Sequence, residues 1–170
     1  MTDRTISGLS KVASTTLALL WLLAMTNTSA AQSLVFSSGG GPLTLTLTTA
    51  SAGSNPTDAS DASTELTWDG DFGVTAKISV STCCPSQSFG LNVELTVTSW
   101  GSGTVGTEQG EKALTDGMAD ADLFNGIPTT RPGRLGVGTL TYRATATAAQ
   151  GTSAENGDDN HTVSFTVLAQ

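Results

Sequence analysis

The sequence predicts an all-β fold: an antiparallel β-sandwich of about eight strands with Greek-key or immunoglobulin-like connections, with a small barrel as the alternative. Apolar residues alternate with Thr and Ser in several short segments, which is typical of strands that bury one face. Segments rich in Gly, Pro, Asn and Asp separate them, and no long segment after residue 31 has the helical period. The roughly 139 residues after position 31 suffice for one domain with a core.

Residues 1–31 have the three parts of a cleavable secretion signal. A basic start precedes an apolar core of about nine residues, 17–25, and the small residues Ala30 and Ala31 supply a cleavage point. The core is too short to span a bilayer, which takes about 20 apolar residues. The sequence therefore predicts a secreted, periplasmic or cell-surface protein that is cleaved near Ala30 or Ala31 and has no integral membrane span.

Period-two alternation locates the strands along the chain. It is clearest in five segments, at residues 43–47, 74–80, 91–97, 140–146 and 163–167. Three shorter strands are predicted at 33–36, 65–68 and 112–115. Thr fills many of the alternate positions, and its β-branched side chain suits the solvated face of a sheet. We therefore expect a short strand and a Gly-rich linker over 32–41, followed by one β-sandwich domain over 42–170.

Turn-forming residues define the connections. Asp69-Gly70 lies between two predicted strands and predicts a tight hairpin, because Gly accepts positive φ without steric cost. Residues 51–63 predict a polar loop, and residues 120–125 predict a single helical turn that ends at Gly126.

The last two predicted strands, at 138–146 and 161–167, again alternate Thr or Ser with apolar residues. Together they resemble the closing hairpin of bacterial secreted pilin-like or immunoglobulin-like β-sandwich surface proteins. The resemblance implies a secreted β-sandwich.

The chain is strongly acidic once the signal is removed. Without Asp3, Arg4 and Lys11 it retains 14 acids and 5 bases, and its net charge is near −9. Nucleic acids and anionic membranes bind basic surfaces, so we expect neither as a partner. Divalent cations and basic partners remain compatible with this charge.

Asp69 and Asp71 form the best candidate for a calcium site. Calcium takes six to eight oxygen ligands, and Gly70 between the two acids lets the backbone fold around an ion. The alternative is that these are acidic turn residues that favour turn geometry and solubility. No other cofactor is expected.

Three aromatic residues near this turn, Trp68, Phe72 and Trp100, are candidates for a ligand platform that stacks on sugars. The alternative is that they pack in the core or at a sheet edge.

Cys83 and Cys84 are adjacent, and three states are open to them: a strained vicinal disulfide, free thiols, or pairing with another molecule. Two adjacent thiols and one distant histidine, His161, do not match the spacing of a zinc site.

No catalytic constellation is visible. Residues 101–106 match the G-x-G-x-x-G string, but Gly110 and Gly117 interrupt the segment where a phosphate-binding helix would have to begin. His161 follows Asp158 and Asp159 too closely for a Ser-His-Asp triad, and no G-x-S-x-G elbow presents a serine. We therefore expect a protein that is not an enzyme.

Two functions agree best with these features, and an exported hydrolase is a third alternative. The first is a secreted or cell-surface structural or adhesive protein, and the second is an extracellular module that binds carbohydrate or calcium. Self-association by strand exchange is a variant of the first, with a segment before or after the linker at 37–41 as the donor. A glycan or another extracellular protein is the other expected partner.

Overall fold

The computed structural model describes residues 32–48, 53–71, 73–100, 106–151 and 153–170, so the predicted signal at 1–31 lies outside the described residues. Within these ranges the chain forms nine strands. They are β1 (Ser33–Ser38), β2 (Ala59–Asp69), β3 (Ala76–Cys83), β4 (Gly90–Trp100), β5 (Thr107–Glu108), β6 (Lys112–Leu114), β7 (Ala121–Ile127), β8 (Leu135–Thr145) and β9 (Thr162–Ala169). A 3-10 turn, Ala148–Gln150, and a one-turn helix α1, Ser153–Asn156, precede β9.

The strands form two antiparallel sheets, which confirms the predicted all-β, sandwich-like fold. One sheet has five strands in the order β1-β2-β8-β4-β6, and the other has four in the order β5-β7-β3-β9. β1 is paired with β2 from Ser33 to Ser38, so the strand that precedes the Gly-rich linker is part of the sandwich. In the part of the chain that the structure describes, no helix has the length and apolar character needed to cross a bilayer.

Strands that are consecutive in sequence seldom pair. β1 and β2 are neighbours in one sheet, but from β3 onward each strand lies in the opposite sheet from the strand before it. The predicted hairpin at Asp69-Gly70 is therefore wrong, because β2 and β3 belong to different sheets. Gly70 is instead a point of close approach, where a Cβ would lie 2.9 Å from Ile127 Cγ2.

The predicted hairpin between the last two strands is wrong for a related reason. β8 lies inside the five-stranded sheet and bonds to β2 on one side and β4 on the other, so it has no free edge for β9. β9 pairs instead with β3, from Cys83 opposite Thr162 to Ala76 opposite Ala169.

Three local predictions also differ from the structure. The helical turn expected at 120–125 is strand β7, because Leu123, Phe124 and Ile127 are all buried in the core. Residues 42–47 form no strand, and β3 begins at Ala76 rather than at Val74, which is half exposed. β5 has no apolar alternation and was not predicted.

The core lies between the two sheets. Trp68 of the five-stranded sheet meets Phe124 of the four-stranded sheet, with ring centroids 5.4 Å apart. Large aliphatic side chains surround this pair: Leu66, Ile78, Val80, Val93, Leu95, Leu114, Leu123, Ile127 and Leu140. Fully burying such a side chain stabilises the fold by about 1.5–3 kcal/mol, so this cluster is the main source of stability.

Candidate functional site

The edge strands β1 and β9 lie on the same side of the sandwich. The ring of Phe36 on β1 meets the ring of Phe165 on β9 edge to face, with centroids 6.0 Å apart. Among the described residues, β1 pairs only with β2 and β9 pairs only with β3. The backbone groups on the outer edges of both strands are therefore without strand partners in the described part of the chain.

Residues 42–48, here termed the covering segment, run across this side of the sandwich. Gly39 and Gly40 turn the chain away from β1 with φ of 68° and 73°, a conformation that favours glycine. Leu45 and Leu47 are half-buried, whereas Thr46 between them and Thr44 before them are exposed. The segment keeps the alternation that predicted a strand, but within the described residues its only β contact is the bridge between Thr48 and Thr57.

A cavity of about 760 Å³ lies beneath the covering segment. Apolar and polar groups line it in comparable amounts, and the apolar side chains include Phe36, Phe89, Leu91, Tyr142, Val163 and Phe165. Its polar lining includes Asp158, Asp159 and His161 from the connection before β9.

Tyr142 reports on the state of this cavity because it is the single tyrosine of the chain. Burial raises the pKa of its phenol from 10.0 to about 12. In the unfolded chain the phenol ionises near 10, so its contribution to the free energy of unfolding is fully present below about pH 10. That contribution is lost as the pH rises from about 10 to about 12.

We expect the tyrosinate absorbance of the folded protein to rise with a midpoint well above pH 10. The same titration in denaturant, where the ring is exposed, is expected to return to the ordinary midpoint near 10. A midpoint near 10 in protein whose circular dichroism still shows the folded sheets would contradict the burial of Tyr142 under the covering segment.

A second cluster, Cys84, Asp159 and His161, is formed where β3 ends and β9 begins. The last pair of the β3–β9 ladder is Cys83 opposite Thr162. Cys84 directly follows β3 and His161 directly precedes β9, so the two residues lie opposite each other just beyond this pair. The Cys84 sulfur, an Asp159 carboxylate oxygen and a ring nitrogen of His161 all lie within 4.8 Å of one another. The distance between the histidine and the thiols is therefore large in sequence only.

Hydrogen bonds hold two members of this cluster. The Asp159 carboxylate accepts from the backbone N–H of Ser88 at 2.9 and 3.0 Å and from that of Phe89 at 2.7 Å. His161 Nδ1 lies 3.2 Å from Thr82 Oγ1, and that hydroxyl donates to the Thr162 carbonyl at 3.3 Å. A neutral ring that donates from Nδ1 to this hydroxyl keeps the lone pair of Nε2 for another contact.

The surroundings favour the neutral form of both the Cys84 thiol and the His161 imidazole. Burial, with the nearby Asp159 carboxylate, raises the pKa of the Cys84 thiol, and burial lowers the pKa of His161. A protonated thiol beside a neutral imidazole is not an activated nucleophile, which would require the thiolate. His161 Nδ1 also faces a hydroxyl rather than the carboxylate that a triad would place there.

Cys83 and Cys84 are both free thiols, one exposed and the other buried. Successive residues of an extended strand point to opposite faces, so this conformation separates the two sulfurs rather than joining them in a vicinal disulfide.

Asp69 and Asp71, the predicted calcium ligands, are paired with arginines. Arg134 Nε lies 2.8 Å from Asp69 Oδ1 and Arg134 Nη1 lies 2.6 Å from Asp71 Oδ2, and Arg131 adds a contact of 3.0 Å to Asp69. A calcium ion would have to compete with these guanidinium groups for the same oxygens. The calcium site stays a prediction, and the network itself fixes the end of β2.

The structure separates the members of the predicted aromatic platform. Trp68 is 2% exposed, so its faces are covered by the core and it cannot stack on a sugar. Trp100 is 52% exposed, and Phe72 lies outside the described residues, as do residues 101–105 of the glycine string. The sugar platform stays a prediction for Trp100, which borders a shallow pocket of about 240 Å³ beside Gly136.

Comparisons of the chain with protein-family models, with curated proteins and with solved structures return no match. The functional inference therefore depends on the geometry of the chain itself. The sequence analysis did not find the Cys84–Asp159–His161 cluster. These residues could have been brought together only by recognising that β3 and β9 are neighbouring strands.

Proposed function

We propose that this chain is an exported, non-catalytic structural protein of the cell surface or envelope, whose β-sandwiches associate with one another through the edge of β9. The sandwich is of the Greek-key or immunoglobulin-like type, which the repeated change of sheet between consecutive strands supports. Export is supported by the signal-like residues 1–31. The observation that carries the proposal is the outer edge of β9, which has no strand partner among the described residues.

β9 lacks the charges, the proline and the bulge that normally keep a sheet edge from pairing with another chain. Natural edge strands carry charged residues or proline, contain bulges, or are covered. The sequence of β9, TVSFTVLA, holds no charge and no proline, and its pairing with β3 is regular over eight positions. Such an edge offers a row of free N–H and C=O groups to an added strand.

The covering segment supplies a strand of matching character. It carries no charge and alternates Leu with Thr over residues 43–48, yet it pairs with no named strand in the described part of the chain. Gly39, Gly40 and Gly41 before it provide the backbone freedom to swing away. The occupant of the β9 edge that fits best is therefore the covering segment of a second copy, in β-strand addition.

This proposal predicts association that depends on protein concentration and on one backbone N–H. We expect light scattering of the exported, processed chain to show a monomer when dilute and larger species as concentration rises. Thr46→Pro removes an N–H from the covering segment and is expected to weaken association at least about ten-fold, because a lost ladder hydrogen bond and a ring clash exceed about 1.4 kcal/mol.

Thr46→Val is the matched control, because it keeps the N–H and the strand propensity at an exposed position. It is expected to associate like the parent chain. A strict monomer over the whole concentration range would contradict the proposal, and so would equal association of the proline and valine variants. If the chain stayed inside the cell and kept residues 1–31, the proposed export would be contradicted, but the proposed self-association would not.

A further inference from the structure

We propose that Cys84, Asp159 and His161 bind a thiophilic divalent cation, with Zn²⁺ as the expected ion. The proposal concerns a different site from the β9 edge and does not depend on self-association. It departs from the expectation from the sequence that two adjacent thiols and one distant histidine do not match the spacing of a zinc site.

The donor set has the chemistry that zinc selects. Zn²⁺ is bound in proteins by thiolate sulfur, imidazole nitrogen and carboxylate oxygen, with three protein ligands and an open position at many sites. Bond lengths of about 2.0–2.3 Å place tetrahedral ligand atoms roughly 3.4–3.6 Å apart. The three ligand atoms already lie within 4.8 Å of one another. Side-chain rotations that move each ligand atom by about 1 Å would bring them to tetrahedral spacing.

The surrounding contacts orient the ligands in the way metal sites require. A ligating histidine normally donates its second N–H to a fixed acceptor, and the Thr82 hydroxyl lies 3.2 Å from Nδ1, where it can accept that N–H and leave Nε2 for the metal. The backbone N–H groups of Ser88 and Phe89 hold the Asp159 carboxylate, as outer partners commonly do.

Charge and access also favour a cation. Asp116 accepts from the Cys84 backbone N–H at 2.7 Å, and Asp158 precedes the carboxylate ligand, so acidic groups surround the site. Asp159 and His161 line the cavity under the covering segment, which provides a path for the ion and room for a water as fourth ligand. On binding, the Cys84 Sγ–H bond breaks, the sulfur forms a bond to Zn²⁺, and the proton leaves to solvent.

Titration of chelator-stripped protein with Co²⁺ tests the site, because a thiolate–Co²⁺ bond gives a charge-transfer band in the near ultraviolet. We expect one equivalent of Co²⁺ to produce this band, Zn²⁺ to abolish it by displacement, and Zn²⁺ to raise the melting temperature. Cys84→Ser is expected to lose the band, whereas Cys83→Ser, its exposed neighbour, is expected to keep it.

His161→Gln provides the second variant, since His161 is only half-buried and its loss leaves the core intact. It is expected to weaken Co²⁺ binding by more than about 100-fold, and Thr82→Val by about 10–100-fold, while Thr82→Ser keeps the hydroxyl and binds normally. Absence of the band in the parent chain would overturn the proposal. So would a band that Cys83→Ser loses and Cys84→Ser keeps, or affinity unchanged in His161→Gln.

Discussion

Replacing Trp68 by alanine is expected to lower the free energy of unfolding by about 3–5 kcal/mol, the range for truncating a buried aromatic residue. Trp68 is 2% exposed, and its ring centroid lies 5.4 Å from that of Phe124 in the opposite sheet. The substitution removes the largest side chain of the core and the main aromatic contact between the sheets. Because a domain of this size has a stability of only about 5–15 kcal/mol, this loss removes a large share of the free energy of unfolding.

Urea denaturation followed by circular dichroism measures this loss, and Trp100→Ala is the matched control. Trp100 is 52% exposed, so its truncation is expected to change stability by no more than about 0.5 kcal/mol. Comparable losses in the two variants would show that the core is not built around Trp68.

Gly136→Ala is expected to destabilise the fold by about 1–3 kcal/mol, which is typical of overpacking a filled core. A Cβ at Gly136 would overlap the ring of Trp68, with Cε2 only 2.5 Å away. β8 is hydrogen-bonded on both sides, to β2 and β4, so the backbone cannot shift to relieve the overlap. Denaturation of the single variant gives the loss directly.

Two further variants separate overpacking from the general effect of adding a methyl group. Gly41→Ala meets no atom within 4 Å and is expected to be neutral or mildly stabilising. Combining Gly136→Ala with Trp68→Phe, whose smaller ring leaves space, is expected to cost less than the sum of the two single substitutions. If the losses of the two single variants added up in the double variant, the strain in Gly136→Ala would not come from the contact with Trp68.

The faces of the strands were predictable from the sequence, but most of their partners were not. Alternation placed Ile78, Val80, Val93, Leu95 and Leu140 on buried faces, and all five are in the core, because side-chain direction depends only on the local period of two. Pairing is different, since it depends on long-range contacts that no local pattern encodes. The rule that consecutive strands pair therefore failed at β2–β3 and at β8–β9.

Elements with weak or ambiguous local signals were also missed. In β7 the residues Leu123, Phe124 and Ile127 have a spacing that a helical turn also permits, and burial between the sheets selects the strand. The covering segment shows the converse, because its Leu–Thr alternation is strong but no named strand of the described chain is bonded to it. The missing partner is the basis of the proposed association.

The Cys84–Asp159–His161 cluster was missed for the same reason as the strand pairing. Cys84 and His161 meet because β3 and β9 pair with Cys83 opposite Thr162, and this register cannot be read from either segment alone. Asp69 and Asp71 were the stronger candidates on local grounds. What local sequence did not show is that Arg131 and Arg134, which come from the connection between β7 and β8, contact the same oxygens.

Hydrogen exchange of the β9 and covering-segment amides at low and high protein concentration tests the proposed strand addition most directly. Alternate amides of an edge strand face its free side, so in the dilute monomer we expect every second β9 amide, and those of residues 43–48, to exchange rapidly. When the protein associates, these β9 amides and every second amide of residues 43–48 should become protected together. Association that leaves both sets in rapid exchange would place the contact on another surface and contradict the account.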